Sequence, residues 1–160
     1  MMYHGRMSGP SVQEQHAPNN HCFGCGPSNP QGLRIRSFLA EKGLVADWTP
    51  APQHEAFDGV LNGGIIGALL DCHSNWAAAM HFMQAEGLDA PPCCVTADFH
   101  VKLRRPTPSH APVHLEAHVT STDGSTATVE ARMTSGDTLT ATCVGRFVAV
   151  KPGHPAYHRW

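Results

Sequence analysis

The sequence predicts an α+β fold, in which a curved antiparallel sheet of five or six strands wraps around one long central helix. Three observations carry this. The stretch HEAFDGVLNGGIIGALLDCHSNWAAAMHFMQAEG, His54 to Gly87, holds a proline-free run between a good N-cap, Asn62, and a natural helix stop, Gly87. That run of about 24 residues makes roughly 36 Å of helix, the width of a small domain. The rest of the chain alternates apolar and polar residues with period two. A helix that is apolar or small nearly all round can bury its core face only against such a sheet.

At 160 residues the chain is long enough for one domain and buries about two-thirds of its unfolded surface. Its net charge of −2 gives no electrostatic footprint for nucleic acid. Charged residues make up 15%, below the usual quarter, which hints at surface covered by a second subunit. No apolar run is long enough to span a bilayer, and residues 1 to 20 lack the apolar core of a signal peptide. The expectation is a cytoplasmic protein with no membrane partner, its six cysteines reduced.

Taken in order, residues 1 to 20 are mixed and polar and read as a flexible N-terminal arm. One domain then runs from 21 to 151. It opens on HCFGCGPSNPQG, residues 21 to 32, rich in turn formers. Cys22 and Cys25 form a Cys-x-x-Cys pair. Two ligands do not make a zinc site, and any third would have to be His21, Cys93 or Cys94, so the stretch reads as a structural turn and no metal is expected. Leu33 to Leu39 and Leu44 to Trp48 are short strands around a turn at Glu41-Lys42-Gly43. After the helix, Val95 to Leu103, Val113 to Val119, Ala127 to Met133 and Leu139 to Phe147 alternate as four strands of a meander. Asp123-Gly124 and Gly136-Asp137 supply hairpin turns. Residues 152 to 160 read as an irregular C-terminal tail.

With Asp71 at the centre of one helix face, Gly64, Gly67, Ala68, Ser74, Asn75 and Ala78 fall within about 60° of it. Ile65, Ile66, Leu69, His73, Trp76, Met80 and Met83 take the opposite side. The Asp71 face carries no Lys, Arg or Glu, so it is not built for water. A lone carboxylate on a smooth stripe is a candidate catalytic group.

The strings CFGCGPSNPQGL, HEAFDGVLNGGIIGALLD and ADFHVKLRRPTP resemble the PaaI-like branch of hotdog-fold acyl-CoA thioesterases. Matching positions are Cys22, Cys25, Asn29, Pro30, Gly32, Leu33, His54, Phe57, Gly59, Gly63, Gly64, Leu69 and Asp71. The resemblance spans about residues 22 to 150 and implies a hotdog fold, a dimer, and hydrolysis of an acyl-CoA with no cofactor beyond the coenzyme A of the substrate. It departs at Asn62, where the family usually has His. Asn caps a helix better but is no base near neutral pH.

Thioester hydrolysis needs donors for the carbonyl oxygen and a carboxylate that activates water or attacks. The helix start at Gly63 and Gly64 offers N–H groups, and Asp71 offers the carboxylate. Gly64 and Asp71 lie seven residues apart, about 10 Å along the axis. One carbonyl carbon cannot lie close to both, so the sequence predicts a homodimer, or a dimer of dimers, with donors from one helix and Asp71 from its antiparallel neighbour. His54 and Asn62 are candidates to line the site. Ser74 and Asn75 are candidates to hold water or orient the carboxylate, and Thr96 to lie beside it. Lys102, Arg104 and Arg105 suit the phosphates of coenzyme A. Cys72 and His73 point away from Asp71, which disfavours a Cys-His nucleophile. Two other readings stay open: a hotdog hydratase or dehydratase pairing His54 with Asp71, and a non-catalytic acyl-CoA binder, which Asn62 favours.

Overall fold

The computed structural model describes residues 7–160. Its elements are helix α1 (Val12–His16) and strands β1 (Phe38–Leu39), β2 (Leu44–Trp48), β3 (Glu55–Phe57) and β4 (Val60–Leu61). Helix α2 (Gly63–Glu86) follows, then β5 (Cys94–Leu103), β6 (Val113–Asp123), β7 (Thr126–Ser135) and β8 (Thr138–Ala149). A short 3₁₀ turn, Pro52–His54, precedes β3.

Six strands form one antiparallel sheet in the order β1-β2-β6-β7-β8-β5, and α2 lies across it: the hotdog arrangement. The helix ends where its capping chemistry dictates. Asn62 Oδ1 accepts from the N–H groups of Gly64 and Ile65, and Gly87 closes the helix at φ 64°. Ile66, Leu69, Leu70, His73, Trp76 and Met80 are buried against inner-face residues such as Leu44, Leu115, Val129, Met133 and Phe147. Each large apolar side chain so buried contributes about 1.5–3 kcal/mol. No helix among the described residues is long and apolar enough to cross a membrane.

Three expectations need correction. The four later strands do not form a simple meander. β6, β7 and β8 do, but β5 pairs with β8, so Arg104–Pro112 crosses the end of the sheet and leaves β5 as an edge. The strand expected from Leu33 to Leu39 shrinks to Phe38–Leu39, because the residues before it bond to loops. Leu33 and Ile35 donate to the carbonyls of Phe23 and Gly24, Ser37 donates to the Gln13 side chain, and Arg34 sits at φ 51°.

The arm expected to be loose is packed from Ser11 to Ala17; residues 1 to 6 of it lie outside the described residues. Ser11 and Glu14 form a capping box that starts α1, and Val12 and Ala17 join the core. Gln13, 1% exposed, donates from Nε2 to Ser37 Oγ and accepts at Oε1 from Ser37 N–H. The tail is irregular, as expected, and packs on the helix. Trp160 stacks on Trp76 with ring centroids 4.5 Å apart, and Arg159 donates to the carbonyl of Cys94 at 2.7 Å.

Candidate active site

Asp71 lies mid-helix, half-buried, and Thr96 Oγ1 donates to its Oδ1 at 2.6 Å. A bulge between Thr96 and Asp98 makes this contact. Strict alternation would put Thr96 on the opposite sheet face from Phe99. The extra residue, Ala97, shifts the phase so that both face the helix. Phe99 then lies beside Gly67 and Leu103 beside Gly63. Strand β5 thus runs antiparallel along the Asp71 face of α2. Burial raises the pKa of Asp71. The Thr96 hydrogen bond opposes that shift, Cys22 adds to it, and Arg159 opposes it. One carboxylate oxygen is held by Thr96, and Oδ2 has no hydrogen-bond partner among the described residues.

Cys72 and His73 do point elsewhere. His73 is fully buried, its Nδ1 paired with Ser37 Oγ at 2.8 Å and its Nε2 with the Leu44 carbonyl at 3.1 Å. Because Nε2 faces a carbonyl it carries the proton, so Ser37 donates to Nδ1 and accepts from Gln13. Burial pushes the His73 pKa down to about 4, and the ring is a neutral structural link between α1, the Ser37 segment and α2.

At the helix start the N–H groups are less free than the sequence suggests. Asn62 Oδ1 accepts from Gly64 N–H at 2.7 Å and from Ile65 N–H at 3.2 Å. Gly63 N–H has no partner among the described residues. His54 adjoins this end: its carbonyl accepts from Asn62 N–H at 2.9 Å. Its ring Nδ1 accepts from Ala51 N–H at 2.9 Å and packs on Trp48, an arrangement that holds the turn and leaves Nε2 unengaged.

The smooth stripe is open only along its first half. Gly64 is exposed and Gly67, Ala68 and Asp71 half-buried, but Ser74 and Ala78 are fully buried within the chain itself. Asn75 donates from Nδ2 to the Cys94 carbonyl at 3.0 Å, so it ties α2 to β5 instead of orienting Asp71. The Ser74 hydroxyl has no partner among the described residues. Lys102, Arg104 and Arg105 are exposed at the far end of β5, by the helix start and away from Asp71 of the same chain. Arg104 donates to Thr142 Oγ1 at 2.9 Å, and Arg105 lines an open cleft of about 340 Å³ with Pro106, Pro108 and Thr140.

Sequence reasoning missed two groups. Arg159 and Trp160 come back from the tail to the middle of α2, at Trp76 and the Cys94 carbonyl. Cys72 joins Cys22 and Cys25, where the sequence offered only His21, Cys93 or Cys94 as a conceivable third group and no metal was expected. The first group was invisible because nothing near it in sequence is periodic. The second was hidden by a separation of 50 positions between Cys22 and Cys72.

The thioesterase superfamily model matches residues 58–142, from the turn before α2 into β8. Among solved structures, a thioesterase superfamily protein from Shewanella loihica is 24% identical, with 73% of this chain and 91% of that chain covered and a TM-score of 0.62. The Escherichia coli PaaI protein from the phenylacetic acid degradation operon is 16% identical, with 74% and 81% covered and a TM-score of 0.63. Zebra fish thioesterase superfamily member 2 is 18% identical, with 77% and 90% covered and a TM-score of 0.62. At these identities the structural likeness is one of fold. No curated protein gives a significant match. The family model covers more than half of the residues and includes the glycine pair, Asp71 and Thr96; the chain belongs to the thioesterase superfamily.

Proposed function

We propose that this protein hydrolyses acyl-CoA thioesters as a homodimer, with Asp71 of one subunit acting across the interface on a carbonyl held at the other subunit's helix start. The observation that carries the reading is Asp71: a half-buried carboxylate on an open stripe of small residues, one oxygen fixed by Thr96. The intrahelical gap of about 10 Å between Gly64 and Asp71 supports a shared site. So does the border of that stripe. Phe99 and Leu103 are 42% and 59% exposed on an edge strand, beside Gly67 and Gly63, and an edge with apolar side chains invites a second copy.

In such a dimer, Gly63 N–H and, once Asn62 yields it, Gly64 N–H face the developing oxyanion. Asp71 takes the proton of an attacking water, or attacks the carbonyl carbon itself to give an acyl anhydride that water then hydrolyses to the free acid and the Asp71 carboxylate; in either case the thiolate of coenzyme A leaves and is protonated. Lys102, Arg104 and Arg105 stand at the helix-start end of β5, where the phosphates of coenzyme A would pass. Steady-state release of free thiol from a panel of acyl-CoAs tests the reading, with Asp71→Asn as the decisive variant. Loss of a positioned base costs about 10²–10⁴ in rate. A folded Asp71→Asn protein that binds a non-hydrolysable acyl-CoA analogue and turns over within about tenfold of wild type would remove Asp71 from the chemistry.

The capped Gly64 N–H favours a second reading, a non-catalytic acyl-CoA binder. Tight analogue binding without thiol release from any acyl-CoA would establish it.

A further inference from the structure

The Sγ atoms of Cys22, Cys25 and Cys72 all lie within 4.8 Å of one another, and those of Cys22 and Cys72 are 3.8 Å apart. We propose that these three thiolates form a zinc(II) site that pins the loop from Asn20 to Gly26 onto helix α2, with solvent as the fourth ligand. Tetrahedral zinc with Zn–S bonds near 2.3 Å separates its sulfurs by about 3.8 Å. One pair already has that spacing, and the others need to close by less than about 1 Å.

The backbone is shaped for this approach. A Cβ placed on Gly24 would lie 2.3 Å from Cys72 Sγ, so only glycine lets the loop come this close. A Cβ on Gly26 would meet the Asn20 carbonyl and Cys22 N, each at 2.4 Å, so the turn that brings Cys25 round beside Cys22 also requires glycine. The turn is closed by Gly26 N–H donating to the Cys22 carbonyl at 2.9 Å.

Donors surround the sulfurs as metal-bound thiolates require. Trp76 Nε1–H donates to Cys25 Sγ at 3.3 Å, and the Asn20 amide approaches the same sulfur at 3.9 Å. Cys22 is exposed, which gives an ion its entry path and a place for water; a site with three protein ligands and an open fourth position follows. Zinc binding expels the thiol protons to solvent, and no oxidation is involved. Nothing in the proposed hydrolysis requires this cluster, and it stands whether or not Asp71 is catalytic.

The experiment uses the full chain, purified anaerobically, stripped of metal under reducing conditions and titrated with cobalt(II), then zinc(II). The expected result is one cobalt per chain with intense sulfur-to-cobalt charge-transfer absorption, abolished stoichiometrically by zinc. Zinc should also raise Tm. Cys22→Ser, at an exposed position that keeps the fold, and Cys72→Ala should each weaken binding by about 100-fold or more. Cys143→Ala, on the sheet, should leave it unchanged. Absence of the charge-transfer band, equal uptake by Cys22→Ser, or recovery of the anaerobic protein with a Cys22–Cys72 disulfide overturns the proposal.

Discussion

Replacing Asn62 with glycine separates the two jobs of the helix start. The Asn62 side chain accepts from Gly64 N–H at 2.7 Å, the group that the proposed chemistry needs for an oxyanion. For substrate to take that N–H, the cap must be given up. An Asn cap is worth about 0.5–2 kcal/mol over a residue that cannot cap, typically about 1, whereas glycine in its place loses only a few tenths. The capping energy is therefore a cost that wild type meets on reaching the transition state and the variant does not. At about 1.36 kcal/mol per factor of ten, Asn62→Gly should raise kcat/KM about fivefold, with bounds of about twofold and thirtyfold. The unfolding midpoint should hardly move. Thiol-release kinetics and urea melts on the same preparations decide the matter. If a folded Asn62→Gly enzyme is unchanged or slower, either Gly64 N–H does not serve the reaction or the Asn62 amide contributes a donor of its own, and the competition argument fails.

Three further outcomes are expected. Gly67→Leu should leave the monomer folded, since a Cβ there meets only Phe99 at 3.9 Å, yet separate the dimer and lower activity by about 100-fold; sedimentation and thiol release on one sample check both, and a fully active monomer refutes the shared site. Gln13→Ala strands the buried Ser37 N–H and removes the donor to Ser37 Oγ, whose own proton stays on His73, and should cost about 1–3 kcal/mol in urea unfolding, where a loose arm would cost nothing. Trp160→Ala removes the ring stacked on Trp76 and should cost about 1–2 kcal/mol, and an unchanged melt would mean that the tail does not pack in solution.

The parts of the fold legible in the sequence are those whose causes are local. Helix α2 begins and ends where Asn62 and Gly87 place it, because capping is chemistry between neighbours. Strand β2 and the β6-β7-β8 meander follow from alternation and the left-handed glycines Gly124 and Gly136. The edge position of β5 was not legible. Its apolar residues alternate like any half-buried strand, and alternation cannot say whether the apolar face meets the chain's own core or is left open, as Phe99 and Leu103 are. Nor could alternation find the bulge at Ala97. That single residue sets the site: without it Thr96 would turn outward and Asp71 would lose its donor.

The same distinction separates the residues whose positions could be foreseen from those whose positions could not. Asp71 and the glycine pair could be placed on one helix because a helical wheel and a helix terminus are local constructions, whereas Thr96 was expected beside the carboxylate only from the family resemblance. Ala78 and Asn75 could not, because the wheel gives direction without saying what stands there. The Cys94 carbonyl takes Asn75, Trp160 covers Trp76, and the second half of the small stripe is spent inside the subunit. What remains open, Gly63 to Asp71, is about two and a half turns of helix. That length suits two antiparallel helices crossing with each Asp71 opposite the other's glycine pair. The loop carrying Cys22 and Cys25 closes on the next residue after Asp71. An ion held there would stiffen the helix at the position where, in the proposed dimer, the carboxylate must be aimed across the interface.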